Sequence, residues 1–508
     1  MSKTTERFKQ LFTPAMLDYL LVFGIYSILF FYSVLCIPEI VFPPSGTDPF
    51  SNWILAEVIS QKGILLKGMP AYFFTPLYAY LGYFLRLFFS DVAFFFAVWI
   101  AFQIGIFLVS ALYFRRLVRA VISPRCERIG FFLYVFYPPF IFHALLPVKD
   151  ILIVSCAVMF FYHFLRAVEL KKNKPLIFAG LFLGICINFR GNFAVLLVVC
   201  MIFLIRKSGI TRGILLCVAA AAPVLPFTAR NIFVAHDYVL TSSVGGIHIY
   251  MGFNEKARGT YTFLENIRPS TFGHFYDSKK IAEQATGTAM NGSEVNRFWK
   301  HKTAEYIRAN PYSAVRLLGK KIALLFNRIE FANNFSFDYF KEEYFLFRFL
   351  NVPYDFGVLM ITGVIGLLFV RFKYKWLFVS SFVAVSCSML TIFIAGRYRL
   401  PLAFFLMVFS LAWINAFLAK TLKLTREIVV IGILTACISY QIPPQIRGFD
   451  SGAKQKHIYA RRQKQKYLKL GSKNYMEHYY LEKQKYVAEF TDENILENHT
   501  VSSGLSSK

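Results

Sequence analysis

The chain has 508 residues, 56% hydrophobic and 18% aromatic, with a mean hydropathy of +0.49, a composition that excludes an ordinary soluble domain and fits a protein solvated by lipid. Its formal net charge of +27 would suit a nucleic-acid binder, but Lys and Arg fall in short clusters between apolar runs and in roughly the last 70 residues, so topology accounts for the excess and no nucleic-acid partner is expected. The eight cysteines stand singly without a C-x-x-C, and the nine histidines form no H-x-x-x-H or H-E-x-x-H, so neither a disulfide framework nor a protein-built metal site has support.

A spanning helix needs about 20 apolar residues, and about eleven runs qualify in outline. In chain order they are 19–37, 92–114, 129–147, 151–165, 175–187, 193–205, 213–228, 356–370, 376–395, 400–418 and 428–438. The first is followed by no A-x-A-like site and by many further runs, so it reads as a retained span and not as a signal peptide. Basic residues alternate with the runs. Lys3, Arg7 and Lys9 precede the first, and "RRLVRAVISPRCER", "RAVELKKNK", "RKSGITR", "RFKYK" and "AKTLKLTR" follow the second, fourth, sixth, eighth and tenth. The positive-inside rule makes all of these cytoplasmic. Runs 175–187 and 193–205 are short enough to be one helix, but both flanks away from "FRGN" are basic, and a hairpin exposing that turn on the far side fits better.

The far side then carries a first loop (38–91), "LPVKD", "FRGN", a large loop (230–355), "GRYR" and the tail from 441. The expected division is a transmembrane domain over 1–440 and a basic hydrophilic tail over 441–508, helical-looking and aromatic from about Ala453 and read as a solvated appendage. The fold class expected is an all-α polytopic membrane protein. Cytoplasmic loops are short and contain no G-x-x-x-x-G-K-[ST], so an ATP-driven pump is not expected.

Ionisable residues gather at the outer ends of the spans: Asp48, Lys149, Asp150, Arg190, Arg230, Glu330, Arg397 and Arg399. A charge there is costly unless it is used. A few carboxylates among several arginines suit an anionic lipid headgroup, because guanidinium pairs bidentately with phosphate. Each residue also has a structural reading. Asp48 before Pro49 looks like a helix N-cap, Asp150 precedes an apolar run and could cap it, and Arg397 and Arg399 could snorkel. Spaced i, i+2, only one of that pair faces a given groove easily. The large loop opens with a polar, glycine-punctuated stretch from Arg230 and Asn231 that reads as a binding loop. Further on, "SAVRLLGKKIALLFN", which includes Lys320, has the spacing of a helix lying in the interface. The stretch "TPLYAYLGYFLRLFF" reads the same way.

The ordered set "TDPFSNWILAEVISQKG", "TPLYAYLGYFL", "LPVKDILIV", "GLFLGICINFRGN", "PFTARNIFVAHDYVLTSSVGGIHIYMGFNEKARG", "YIRANPYSAVRLLGKKIALLFNRIEFANN" and "GRYRLPL" resembles the C-type-fold (GT-C) glycosyltransferases that use polyprenyl-phosphate-linked sugars. These include the family 39 protein mannosyltransferases and the aminoarabinose transferases of lipid A. The resemblance covers 47–418, and it is the order that carries it, not any one stretch. Thr75–Pro76 replaces the usual proline pair, Trp53 stands where tyrosine is usual and "FRG" replaces Arg-Pro, which leaves the donor sugar open.

The resemblance implies a GT-C fold with interfacial helices in the first outer loop, in a multi-pass protein of the cell inner membrane whose active site faces the periplasm or lumen. It makes Asp48 the catalytic base and an inverting transfer the reaction. The donor phosphate falls to Arg397, Arg399, Arg230, Arg190 and Lys149, with Asp150, Glu330, Asn231 and Lys320 in support. The acceptor is a glycolipid, glycan or protein. No D-x-D occurs, and a donor already on lipid phosphate needs no cation-held nucleotide. A divalent cation (Mg or Mn) beside Asp48 is compatible with the resemblance but has no evident second ligand. A secondary transporter or lipid flippase for an anionic lipid is the alternative, although mid-span acids and an inverted repeat, its usual marks, are not seen. An assembly scaffold would leave the Asp and Arg set without a role.

Overall fold

The computed structural model describes residues 13–44, 46–421, 425–441 and 456–471. Lys3, Arg7 and Lys9, part of "AKTLKLTR" and most of the tail lie outside them. Among the described residues the chain is helical throughout, with one isolated bridge between Thr260 and Ile394 and no named strand.

Five helices have the length and apolarity to cross a membrane: Pro14–Cys36, Val92–Val121, Asp150–Leu170, Gly191–Ser208 and Gly396–Leu418. A sixth span is formed if Ile210–Ala221 and Leu225–Phe233 are taken together, and these meet at a 62° bend. The bend falls at Pro223, which has no N–H to continue the ladder. The other expected runs are shorter helices or are broken. Run 129–147 divides at Tyr137 into Glu127–Val135 and Pro138–Ala144, where proline again starts the second piece. Runs 356–370 and 376–395 give Phe356–Phe369 and Lys375–Leu390, of 14 and 16 residues.

Asp150–Leu170 and Leu400–Leu418 are buried along most of their length and form the centre of the bundle. Around them, close approach depends on glycine. A Cβ on Gly366 would lie 1.9 Å from the Phe409 carbonyl oxygen, and one on Gly184 would lie 2.2 Å from that of Ala220. With no hydrophobic drive between helices in lipid, such small-residue contacts are what bring backbones together.

Pro14–Cys36 sits at the edge, with Leu17, Leu20, Phe23, Ile28 and Phe31 exposed. Buried Asp18 ties it down, accepting from Arg128 at 2.9 Å and Arg115 at 3.2 Å. Asp48–Lys62, by contrast, is buried on every side from Pro49 to Ile59. Arg86 of Leu77–Arg86 holds it through Glu57 at 2.6 Å. The large loop has a small core of Ile247, Ile267, Ala282, Val295 and Trp299 around Thr271–Thr286 and Gly292–Ala309, which Phe73 of the first loop joins.

Candidate functional site

All six expected outer segments, the first loop, "LPVKD", "FRGN", the large loop, "GRYR" and the tail, meet at one cavity of about 920 Å³. Asp48, Lys149, Arg190 and Arg397 line it together. Cavities of this size take ligands as large as a drug or a cofactor.

The helix behind Asp48 begins at Asp48 itself, with Thr47 as N-cap, and no side chain caps it. The capping reading of Asp48 therefore gives way to an ion pair: Arg397 Nη1 donates to Asp48 Oδ2 at 2.5 Å. Burial alone would raise the Asp48 carboxyl, but Arg397 and Lys149 overcome it and hold the group well below the usual carboxylate range. Lys149 precedes Asp150–Leu170, and its ammonium donates to Thr75 Oγ1. Burial pulls Lys149 down to about 8, against the attraction of Asp48.

Asp150 does not cap its helix with its side chain either. It is buried, accepts from Arg190, and lies 3.8 Å from Arg397 Nη1. Both guanidinium groups pack on Tyr398, with Arg190 4.6 Å and Arg397 5.0 Å from its ring centroid. Such cation–π packing fixes where the positive charge points.

Arg399 and Arg230 stand elsewhere. Arg399 is 1% exposed and donates to the Asn327 and Ile329 carbonyls and to Glu330 at 3.0 Å. Burial raises the Glu330 carboxyl even beside that arginine. Of the "GRYR" pair, then, Arg397 reaches the cavity and Arg399 braces the loop behind it. Arg230 donates to four carbonyls of the first loop, those of Leu65, Leu66, Met69 and Pro70, at 2.6–3.1 Å. Asn231 receives the Tyr72 N–H at 3.1 Å and donates to Val239. Both residues fasten the first loop to the large one. Lys320 is exposed, while its neighbour Lys321 is buried, donates to Leu390 and lies 3.4 Å from the Phe253 ring centroid.

Sequence reasoning missed one wall of the cavity. His274 Nε2 is 2.8 Å from the Tyr261 hydroxyl, and the His248 and His274 rings are 5.7 Å apart. Burial, then each other's proximity, pulls His248 down to about 3, and burial pulls His274 down to about 4, so both are neutral at pH 7. Phe393 stands 5.2 Å from Tyr261 and 5.6 Å from Tyr398, continuing the aromatic surface to the arginines. A neutral, aromatic wall facing a cationic one suits a ligand with an apolar or hydroxylated part and an anionic part.

The tail also differs from expectation. Residues 456–471 form a docked helix, and its first turn reaches the cavity through Lys456 and Tyr459. His457 Nδ1 lies 2.7 Å from buried Glu39 and 3.0 Å from the Tyr344 hydroxyl. Here a buried carboxylate, far away in sequence, supplied the partner that made docking favourable.

A divalent cation would find poor ligands. Asp48 is already matched by Arg397 and Lys149, and among the described residues no group of three His, Cys, Asp or Glu side chains could hold a metal ion. The residues present do not fit Mg or Mn beside Asp48.

No family model and no curated protein matches the chain.

Proposed function

We propose that this protein is an inverting glycosyltransferase of the inner membrane with a GT-C fold. It takes a sugar from a polyprenyl-phosphate donor and gives it to a glycolipid, glycan or protein acceptor on the periplasmic or lumenal face. The observation that carries the reading is the Asp48–Arg397 pair at a cavity also lined by Lys149 and Arg190. A count of about eleven crossings takes the five long spans, the bent pair Ile210–Ala221 and Leu225–Phe233, four shorter helices, among them Asn173–Phe189 and Arg426–Tyr440, and the broken segment from Glu127 to Ala144.

The chemistry divides between the two partners of the pair. As the acceptor oxygen or nitrogen bonds to the anomeric carbon, the bond from that carbon to the phosphate oxygen breaks, and its electrons leave with the phosphate. Arg397, Arg190 and Lys149 face that developing charge. The acceptor proton passes to Asp48. In the resting pair Asp48 is too acidic to be an effective base. Donor phosphate competes for Arg397, and a guanidinium turned to phosphate lets the carboxyl rise towards its ordinary value. Base strength thus arrives with the substrate.

The test compares envelope glycolipids, glycans and the polyprenyl-phosphate-sugar pool by mass spectrometry, in cells with equal amounts of wild type or Asp48→Asn. The expected result is a donor lipid that accumulates and one glycan modification that disappears. Unchanged pools would sink the transferase and return the arginines to a transporter's transient anion site.

A further inference from the structure

The helix at 456–471 belongs to a segment whose composition suggested a solvated appendage, yet it forms part of the cavity wall. Lys456 and Tyr459 line the same space as Asp48 and Arg397. The Lys456 ammonium is held by the carbonyls of Asn334 at 2.9 Å and Asn333 at 3.2 Å, and its charge acts on both Arg397 and Asp48. Asn333 and Asn334 themselves line the cavity.

The seat of this helix is specific. His457 is 6% exposed and sits against Glu39, itself 2% exposed, while Tyr344 donates to the other Glu39 oxygen at 2.7 Å. Further along, Tyr467 donates to Asp91 at 2.8 Å and Lys464 to the Leu35 carbonyl at 2.6 Å. A basic segment held only by general attraction would not insert a histidine between a buried carboxylate and a tyrosine.

We infer that the C-terminal helix completes the binding site, with Lys456 as a further ligand-binding residue for the phosphate of the lipid-linked donor. The inference rests on the donor reading above. Lys456 adds a fourth cation to Lys149, Arg190 and Arg397, on the side of the cavity closed by the tail. Its two carbonyl contacts orient the ammonium before the anion arrives, which limits the ordering cost of binding. Tyr459, three residues on, faces the same cavity from the next turn.

The experiment measures equilibrium binding of a polyprenyl monophosphate to the full chain in nanodiscs, for wild type, Lys456→Gln, Lys456→Arg and the control Lys469→Gln, an exposed position on the same helix. Lys456→Gln should weaken binding about tenfold, the size of one charge-assisted hydrogen bond. Lys456→Arg should restore most of it, and Lys469→Gln should bind as wild type. Unliganded melting temperatures of the four proteins should agree, which a merely structural lysine would not give. Equal binding by wild type and Lys456→Gln overturns the tail's share and leaves the donor reading standing. A wild type that does not bind the lipid overturns the donor reading and takes the role of Lys456 with it.

Discussion

At the scale of single residues, the four arginines at the outer span ends divide by what surrounds them. Arg397 and Arg190 meet carboxylates and an aromatic ring at the cavity, whereas Arg399 and Arg230 are absorbed mainly by backbone carbonyls. Carbonyl partners carry no side-chain signature, so sequence alone cannot tell a guanidinium that braces a loop from one that waits for a ligand. Lys149 offers a test with a defined sign. Its ordinary value is 10.5 and burial takes it to about 8, so above pH 8 the folded protein loses a cation that the proposed phosphate needs. Donor affinity should fall as pH rises through about 8, as Lys456, also drawn down to about 8 by burial, adds to the same limb. Between about 8 and 10.5 the unfolded chain binds more protons at these lysines than the folded one, so their contribution to stability rises with pH in the same window. An arginine stays charged throughout. In Lys149→Arg with Lys456→Arg, polyprenyl monophosphate binding titrated from pH 7 to 10 should lose most of its alkaline fall. A limb unchanged in the double variant would mean that neither lysine meets the ligand.

Elements bring these residues together through contacts of very unequal legibility. The long spans could be read from sequence because apolar length is a direct physical requirement of the bilayer. The division of run 129–147 could have been anticipated from Pro138 and Pro139, but its apolarity outweighed them. The helical character of the tail could be read, but its docking could not. Its anchor joins His457 to Glu39, 418 positions apart, and each residue alone looks like an ordinary polar side chain. Helix spacing is a further element-level property, and Gly366 tests it. Phe356–Phe369 packs so closely on Leu400–Leu418 that a Cβ at Gly366 would overlap the Phe409 carbonyl. Backbone cannot move aside as a side chain would, so Gly366→Ala should destabilise by about 1–3 kcal/mol, the usual cost of overpacking. Gly105 lies in a helix with nothing within 4 Å of its would-be Cβ, and Gly105→Ala should be neutral or raise stability by up to about 1 kcal/mol. Thermal unfolding in detergent distinguishes the two. Equal shifts would mean that glycine at 366 serves no close approach.

Across the whole molecule, charge is sorted to two ends. The cavity collects Asp48, Lys149, Arg190 and Arg397 at one end of Asp150–Leu170. At the other end of that helix, about 31 Å away by its 21 residues, Lys373 pairs with Glu169, and Arg212 donates to the carbonyls of Ala167 and Lys172. That second end gathers the basic loops which the positive-inside rule assigns to the cytoplasm. The clustering of the outer segments was legible because alternation along the chain dictates which loops share a face. What alternation cannot supply is the closure of the cavity by His248, His274 and the tail, which depends on how the loops fold on themselves. Orientation is therefore the premise on which the donor reading stands, and it can be measured directly. Tyr238, 85% exposed in the large loop, and Lys207, exposed in the last turn of Ala194–Ser208, lie on opposite sides under this reading. With the eight native cysteines replaced, Tyr238→Cys should react with a membrane-impermeant maleimide in cells where the membrane that holds the protein is intact. Lys207→Cys should react only after that membrane is opened. The reverse pattern would turn the cavity towards the cytoplasm, where soluble activated sugars are at hand, and the advantage of a donor carried on lipid phosphate would disappear.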